Sequence, residues 1–145
     1  MEPTGVTATA LARLIARREV SAREVAEAHL RRIEAVNPLI NAVVALDAER
    51  ALAAADAADA AAAPTGPLHG VPFTVKDVFA TAGFASALDQ KLRQRKAPTV
   101  DATVVARLRQ AGAILLGKTN CPPNGSGNDT ENMVTGRTFR LCLKS

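Results

Sequence analysis

The residues with most chemical promise lie in the run Gly70-Val71-Pro72-Phe73-Thr74-Val75-Lys76-Asp77. It is apolar and β-branched, bounded by Gly70 and Pro72 at one end and by Asp77 at the other. That pattern predicts a short buried strand with one lysine at its end. An ammonium group is costly to desolvate, so such a lysine either reaches out to water or is put to use. Desolvation favours the neutral amine, and a neutral amine is a base. Asp77 does not pair with Lys76 by adjacency alone, because neighbours on a strand point to opposite faces. On these residues alone, a solvated lysine closing a core strand and a functional base both fit.

Three other groups could do chemistry. Gly112-Ala113-Ile114-Leu115-Leu116-Gly117-Lys118-Thr119 spells the phosphate-loop pattern G-x-x-x-x-G-K-S/T. That loop needs a strand before it and a helix after it, so that backbone N–H groups curl around phosphate. Here a helical pattern precedes it, the middle residues are strand-like, and Cys121-Pro122-Pro123-Asn124-Gly125 follows. Nucleotide binding is therefore set aside, and Lys118-Thr119-Asn120 is read as the turn ending a second strand. Cys121 could be a thiol nucleophile with His69 and Asp77, but the local signatures of cysteine proteases are absent and a small buried side chain fits better. Asn124-Gly125-Ser126-Gly127-Asn128 reads as a turn cluster. His29 reads as a partly exposed helix residue.

The elements that must position these groups are legible in the periodicity. Leu11, Leu14 and Ile15 predict an amphipathic helix over residues 8–17. Ser21, with Glu24 three residues on, is a capping box opening a helix over 22–36 that Asn37-Pro38 should end. Residues 41–46 predict a buried strand. Asp47 caps an alanine-rich helix over 48–63, with Leu52 marking its inner face. Thr99 or Asp101 caps a helix over 102–111 with Val104, Val105, Leu108 and Ala111 on one face, and Gly112 stops it. Residues 113–116 form a second buried strand. Strand, helix, strand is a βαβ unit with parallel strands, hence an α/β sheet flanked by helices. Functional groups in such sheets gather at the carboxyl ends of the strands, where Lys76 and Lys118 both fall.

Composition narrows the classes. The chain has 145 residues, the length of one domain, and 48% of it is apolar with no Trp or Tyr, so the core must be aliphatic. Net charge is +4 and the pI about 9.6. The positive residues are spread over helices apart from Lys91, Arg93, Arg95 and Lys96, a cluster without interleaved aromatics for base stacking. Nucleic-acid binding is not expected. No apolar stretch is long enough to span a membrane, and no signal peptide is apparent. Two cysteines and two histidines make no zinc pattern. A cytoplasmic, reduced protein is expected.

Pro72-x-x-Val75-Lys76-Asp77, then residues 101–108, then Gly112 to Asn120, then Thr130-Glu131-Asn132 and Gly136-x-Thr138 occur in that order. Together they resemble the N-terminal part of the amidase-signature family, from about Ser21 to Thr138. The resemblance implies an incomplete N-terminal part of an α/β fold whose mixed sheet is flanked by helices. It also implies cofactor-free and metal-free hydrolysis of a small-molecule carboxamide through a Ser–cis-Ser–Lys triad. Lys76 matches the triad base, which must be a neutral amine to accept a proton. Gly125, Ser126 and Gly127 match a loop near the substrate pocket. Pro123 and Asn124 depart from the acidic and apolar residues common there.

The family's Gly-Gly-Ser-Ser-Gly-Gly stretch, with its bridging serine, and the later nucleophile are absent. After Thr138 the family continues with Asn-Pro, whereas this chain reads Phe139-Arg140-Leu141-Cys142-Leu143-Lys144-Ser145. The expectation is one incomplete domain over 1–145, with residues 140–145 foreign to the fold and no activity alone. The alternative is a non-catalytic remnant or interaction module. An unpaired sheet edge would offer either one a route to association.

Overall fold

The computed structural model describes residues 2–86 and 97–140. Two helices open the chain after a short 3₁₀ turn: α1 (Ala8–Ala16) and α2 (Ala22–Ile40). Strand β1 (Val43–Leu46), helix α3 (Ala48–Ala60), strand β2 (Pro72–Lys76), helix α4 (Thr103–Gln110) and strand β3 (Ile114–Thr119) follow. A small hairpin of β4 (Glu131–Asn132) and β5 (Gly136–Arg137) comes last.

The start of α2 is capped twice. Ser21 Oγ accepts the Glu24 N–H at 3.0 Å, and Glu24 Oε2 accepts the Ser21 N–H at 2.9 Å. Asp59 of α3 then takes the next two orphan donors, the N–H groups of Ala22 at 2.7 Å and Arg23 at 3.0 Å. A helix N-terminus leaves its first N–H groups without helical partners, and here a second helix supplies the acceptors. Pairing α2 with α3 is thus written into polar groups as well as apolar ones.

The sheet is mixed, in the order β1-β3-β2, with β2 parallel and β1 antiparallel to β3. Central β3 is buried from Ile114 through Lys118, whereas β1 and β2 are only partly covered. One face of the sheet packs Ile114 and Leu116 against Leu11, Ile15, Val25, Ala26, Ala51 and Ala55 of the first three helices. Leu115 joins a second cluster with Val75, Phe84 and Val105 of α4. Alternation along β3 therefore feeds both cores. The 65–70 loop brings β2 into register. Leu68 N–H reaches Ala111 C=O at 2.8 Å, and Gly70 N–H reaches Gly112 C=O at 2.9 Å. Gly117 lets the β1 backbone approach, since a Cβ there would collide with the Ala45 carbonyl oxygen.

The α/β class and the parallel β2–β3 pair match the sequence reading, while four local expectations are revised. Helix α2 does not end at Asn37-Pro38 but runs to Ile40, with Asn41 in the left-handed region at φ 50° closing it. Pro38 forfeits only its own N–H, and the Asn37 side chain organises the exit. Asn37 Oδ1 accepts from the N–H groups of Ala42 and Val43, and Nδ2 donates to Val43 C=O. The first strand is half-buried rather than buried, because it lies on a sheet edge. Neither Thr99 nor Asp101 caps α4, whose N-cap is Ala102 without a side-chain bond. Asp101 instead accepts the Ala82 N–H at 2.7 Å and pairs with Arg109 at 3.1 Å. In α3 the buried positions are Ala51 and Ala55, with Leu52 at the margin. Small side chains let the helix lie close to its neighbours. The 91–96 basic cluster, Cys142 and Ser145 lie outside the described residues.

Candidate functional site

The carboxyl ends of β2 and β3 lie side by side, because the parallel register pairs Lys76 with Thr119. Lys76 is the last residue of β2 and is partly exposed. Its Nζ donates to the Gly125 carbonyl at 2.9 Å. That carbonyl is presented by a tight turn in which Gly125 N–H reaches Pro122 C=O at 3.0 Å. Asn124 and Gly125 both take positive φ, 58° and 69°. A side chain at Gly125 would also press on Val78, with its Cβ 2.6 Å from Val78 Cγ2. Glycine and asparagine are the residues that tolerate this backbone. Of the expected pocket loop, then, Gly125 is joined to Lys76. Ser126 N–H closes on Pro123 C=O at 3.4 Å, and Ser126 and Gly127 are exposed.

The desolvated lysine is a different one. Lys118 is fully buried, as is Asp77. Lys118 Nζ stands 3.4 Å from Asp77 Oδ1. It also donates to Thr81 Oγ1 at 3.0 Å and to the Phe79 carbonyl. Burial pulls the Lys118 ammonium below the ordinary lysine range, and the Asp77 charge opposes that shift. The reading of Lys118 as a strand-end turn is corrected, since it lies within β3. A lysine locked in this way cannot cradle phosphate, and residues 114–119 are strand rather than loop. The apolar run 113–116 leading into Lys118 was the signal available in sequence. The partners at 77, 79 and 81 come from another strand's exit and carry no local signature.

Cys121 lies at the same edge and is fully buried. Burial and the Asp77 charge push its thiol pKa up, while Lys76 and Lys118 pull it down. A raised thiol is a poor nucleophile. His69 precedes β2, whereas Cys121 follows β3, so the two lie at opposite ends of parallel strands. Five paired positions separate those ends, roughly 15 Å at about 3.3 Å per residue. The Cys121–His69 pairing is excluded by topology. His69 accepts the Thr65 N–H at Nδ1, 3.1 Å away, as a buried structural group.

A polar hub fixes the chain beyond β3. Asn120 Oδ1 accepts from Cys121 N–H, Asn132 Nδ2 and Thr135 Oγ1, at 2.9, 2.9 and 2.7 Å. Asn120 Nδ2 donates to Gly136 C=O and Thr138 Oγ1, at 3.1 and 3.0 Å. Asn132 Nδ2 also donates to Cys121 C=O at 2.9 Å. Thr138 Oγ1 donates to Asn41 C=O at 2.8 Å, tying the hairpin to the end of α2. The Thr130-Glu131-Asn132 and Gly136-x-Thr138 motifs thus have a shared physical job. They hold the 121–125 loop against the strand ends. No group of three or more His, Cys, Asp or Glu able to hold a metal occurs among the described residues. No helix among them is long and apolar enough to cross a membrane.

Ionisable groups and a glycine turn gather at the strand ends of a mixed α/β sheet, the place where open α/β folds bind their ligands. The chain belongs to the amidase-signature family: it matches the amidase sequence profile over residues 24–139. It is 48% identical over 135 residues to a glutamyl-tRNA(Gln) amidotransferase subunit from Acidothermus cellulolyticus. That match covers 91% of this chain and 27% of the relative. It is 42% identical to an acylamidase from Rhodococcus erythropolis, over 92% of this chain and 28% of that protein. Among solved structures, a bacterial aryl acylamidase of the amidase-signature family superposes with a TM-score of 0.82 at 31% identity. The match covers 92% of this chain and 29% of that one. The chain therefore spans between a quarter and a third of the length of these relatives.

Proposed function

We propose that this chain is the N-terminal portion of a cytoplasmic amide hydrolase, with Lys76 as the base of a Ser–cis-Ser–Lys triad. The substrate class is a small carboxamide, and both serines lie in sequence this chain does not contain. The observation that carries the reading is Lys76 at the carboxyl end of β2, its Nζ on the Gly125 carbonyl at 2.9 Å. A carbonyl acceptor aims an amine without neutralising a charge, so the nitrogen is oriented yet not committed to an ion pair. From there it can take the proton of a bridging serine while that serine deprotonates the nucleophile. Gly125 positions the lysine, and Ser126 and Gly127 border the substrate. Without the serines the chain alone has no amidase turnover.

The test is a graft. Residues 1–138 replace the matching segment of the Rhodococcus acylamidase, and hydrolysis of an acyl amide that the parent enzyme cleaves is followed. Turnover is expected in the graft, and Lys76→Ala should lower kcat by at least about 100-fold, the range for loss of a general base. Retained turnover in Lys76→Ala would refute the assigned role. A folded but inactive graft would favour the remnant reading, in which the front of the fold survives as an interaction module.

A further inference from the structure

The carbonyl that holds Lys76 is presented by two overlapping turns. Gly125 N–H closes on Pro122 C=O at 3.0 Å, and Ser126 N–H closes on Pro123 C=O at 3.4 Å. In the first turn Pro123 is followed by Asn124 at φ 58° and ψ 16°. Proline with its fixed φ, then a residue at positive φ, is the pair a type II turn asks for. In the second turn Asn124 and Gly125 are the central residues, both at positive φ. Asn-Gly is the pair a type I′ turn asks for. Asn124 is thus the residue central to both turns. It is exposed, so it acts through its backbone rather than by packing. The turns also rest on the exit of β2. Phe79 N–H reaches Lys76 C=O at 3.0 Å, folding the chain back directly after Lys76. Val78, inside that bend, lies against Gly125 where a Cβ would not fit.

We infer that Asn124 is a positioning residue: by holding the left-handed backbone that both turns share, it aims the Gly125 carbonyl at Lys76 Nζ. The chain just before the turns is anchored, because Cys121 is buried, with its N–H on Asn120 Oδ1 and its C=O on Asn132 Nδ2. Turning Asn124 out of the left-handed region therefore rotates the chain after its Cα against that anchor. From φ 58° to the value a proline imposes is a swing of about 120°, and it carries the Gly125 carbonyl away from the amine. The left-handed region is free to Gly, tolerated by Asn, disfavoured for β-branched residues and closed to Pro.

This deepens the proposed role of Lys76 as base, which needs an aimed amine, but its test reads the amine itself in the chain as it stands. Acetylation of Lys76 by acetic anhydride at mildly alkaline pH is followed by mass spectrometry and divided by the rate in the same chain unfolded in urea. Only an amine off its carbonyl reacts, so the native contact slows labelling. Lys118, fully buried on the neighbouring strand, reports opening of the sheet itself. In Asn124→Pro, Lys76 labelling is expected to rise about tenfold while Lys118 stays protected, the release that follows loss of one hydrogen bond from a charged donor. Asn124→Gly should keep the native rate. An unchanged Lys76 rate in Asn124→Pro would overturn the inference. So would equal acceleration of Lys76 and Lys118 in a variant that keeps the native circular dichroism, because Asn124 would then serve the fold at large. Equal acceleration in Asn124→Gly and Asn124→Pro would overturn it too, by tracing the effect to the lost side chain. Should Asn124→Pro fail to fold, Asn124→Val against Asn124→Gly decides the matter, and equal Lys76 rates in those two would sink the idea. Failure of the base role would show separately, as turnover surviving Lys76→Ala in the graft.

Discussion

At the scale of residues, the buried Lys118–Asp77 pair carries the largest consequence. Two charges have left water, and their mutual attraction offsets part of the loss. Asp77→Ala would strand an ammonium inside the protein, and a loss of about 3–5 kcal/mol is expected in urea denaturation. The pair also sets a pH dependence. Burial holds Lys118 below its ordinary value of 10.5. Between the folded value and 10.5 the unfolded chain binds more protons, so stability rises with pH across that window. Going down in pH, that contribution is lost across the same window, as the unfolded lysine takes up its proton, and the loss is complete once Lys118 is charged in the folded chain as well. Urea midpoints taken from neutral pH upward should climb towards about pH 10 in the native chain. The slope attributable to Lys118 should vanish in the neutral Asp77→Asn/Lys118→Met variant. A flat native profile would show that the burial penalty is fully compensated.

At the scale of elements, two contacts decide whether the strand ends meet the glycine turn. Gly117 sits where β1 crosses nearest to β3, and its missing side chain leaves room for the Ala45 backbone. Gly117→Ala must push β1 outward, and the expected cost is about 1–3 kcal/mol, as for overpacked sites. Amide exchange should quicken in β1 before it does in β2. Asn132 is the second. It donates to Asn120, Cys121 and Thr135, and its Oδ1 accepts the N–H groups of Val134 and Thr135. Asn132→Ala leaves those buried partners short of bonds, a loss of about 2–3 kcal/mol. The hairpin should loosen and the 121–125 loop with it. Protease cleavage after Arg137 is the readout, and unchanged resistance would show that the hub is dispensable.

At the scale of the whole molecule, the open sheet governs behaviour. Among the described residues β1 and β2 each pair on one side only. Their free edges offer unpaired N–H and C=O groups to any neighbouring strand. Exposed apolar side chains add to this: Val100 is 73% accessible, Met133 97% and Phe139 58%. In the relatives, more than two thirds of the chain lies outside the matched segment. Alone, this chain is expected to melt broadly and to self-associate. Sedimentation of a stable monomer with a sharp melt would contradict that.

The short-range signals carried the fold far. Ser21 and Glu24 marked the start of α2, the apolar runs marked β2 and β3, and Gly112 marked the end of α4. Each depends on groups a few residues apart, so the sequence displays it. The order of motifs around Lys76 was enough to identify the family and to point to the strand end. What the tertiary structure alone decided was which groups meet. Asp77 chose Lys118 over its own neighbour, and Asp59 capped a helix 37 residues before it. The Asn120–Asn132 hub drew three segments together, and Cys121 was parted from His69. Those outcomes depend on the register of β2 against β3 and on how much water each charge loses. Both are properties of the assembled sheet, where residues far apart in the chain share one low-dielectric space.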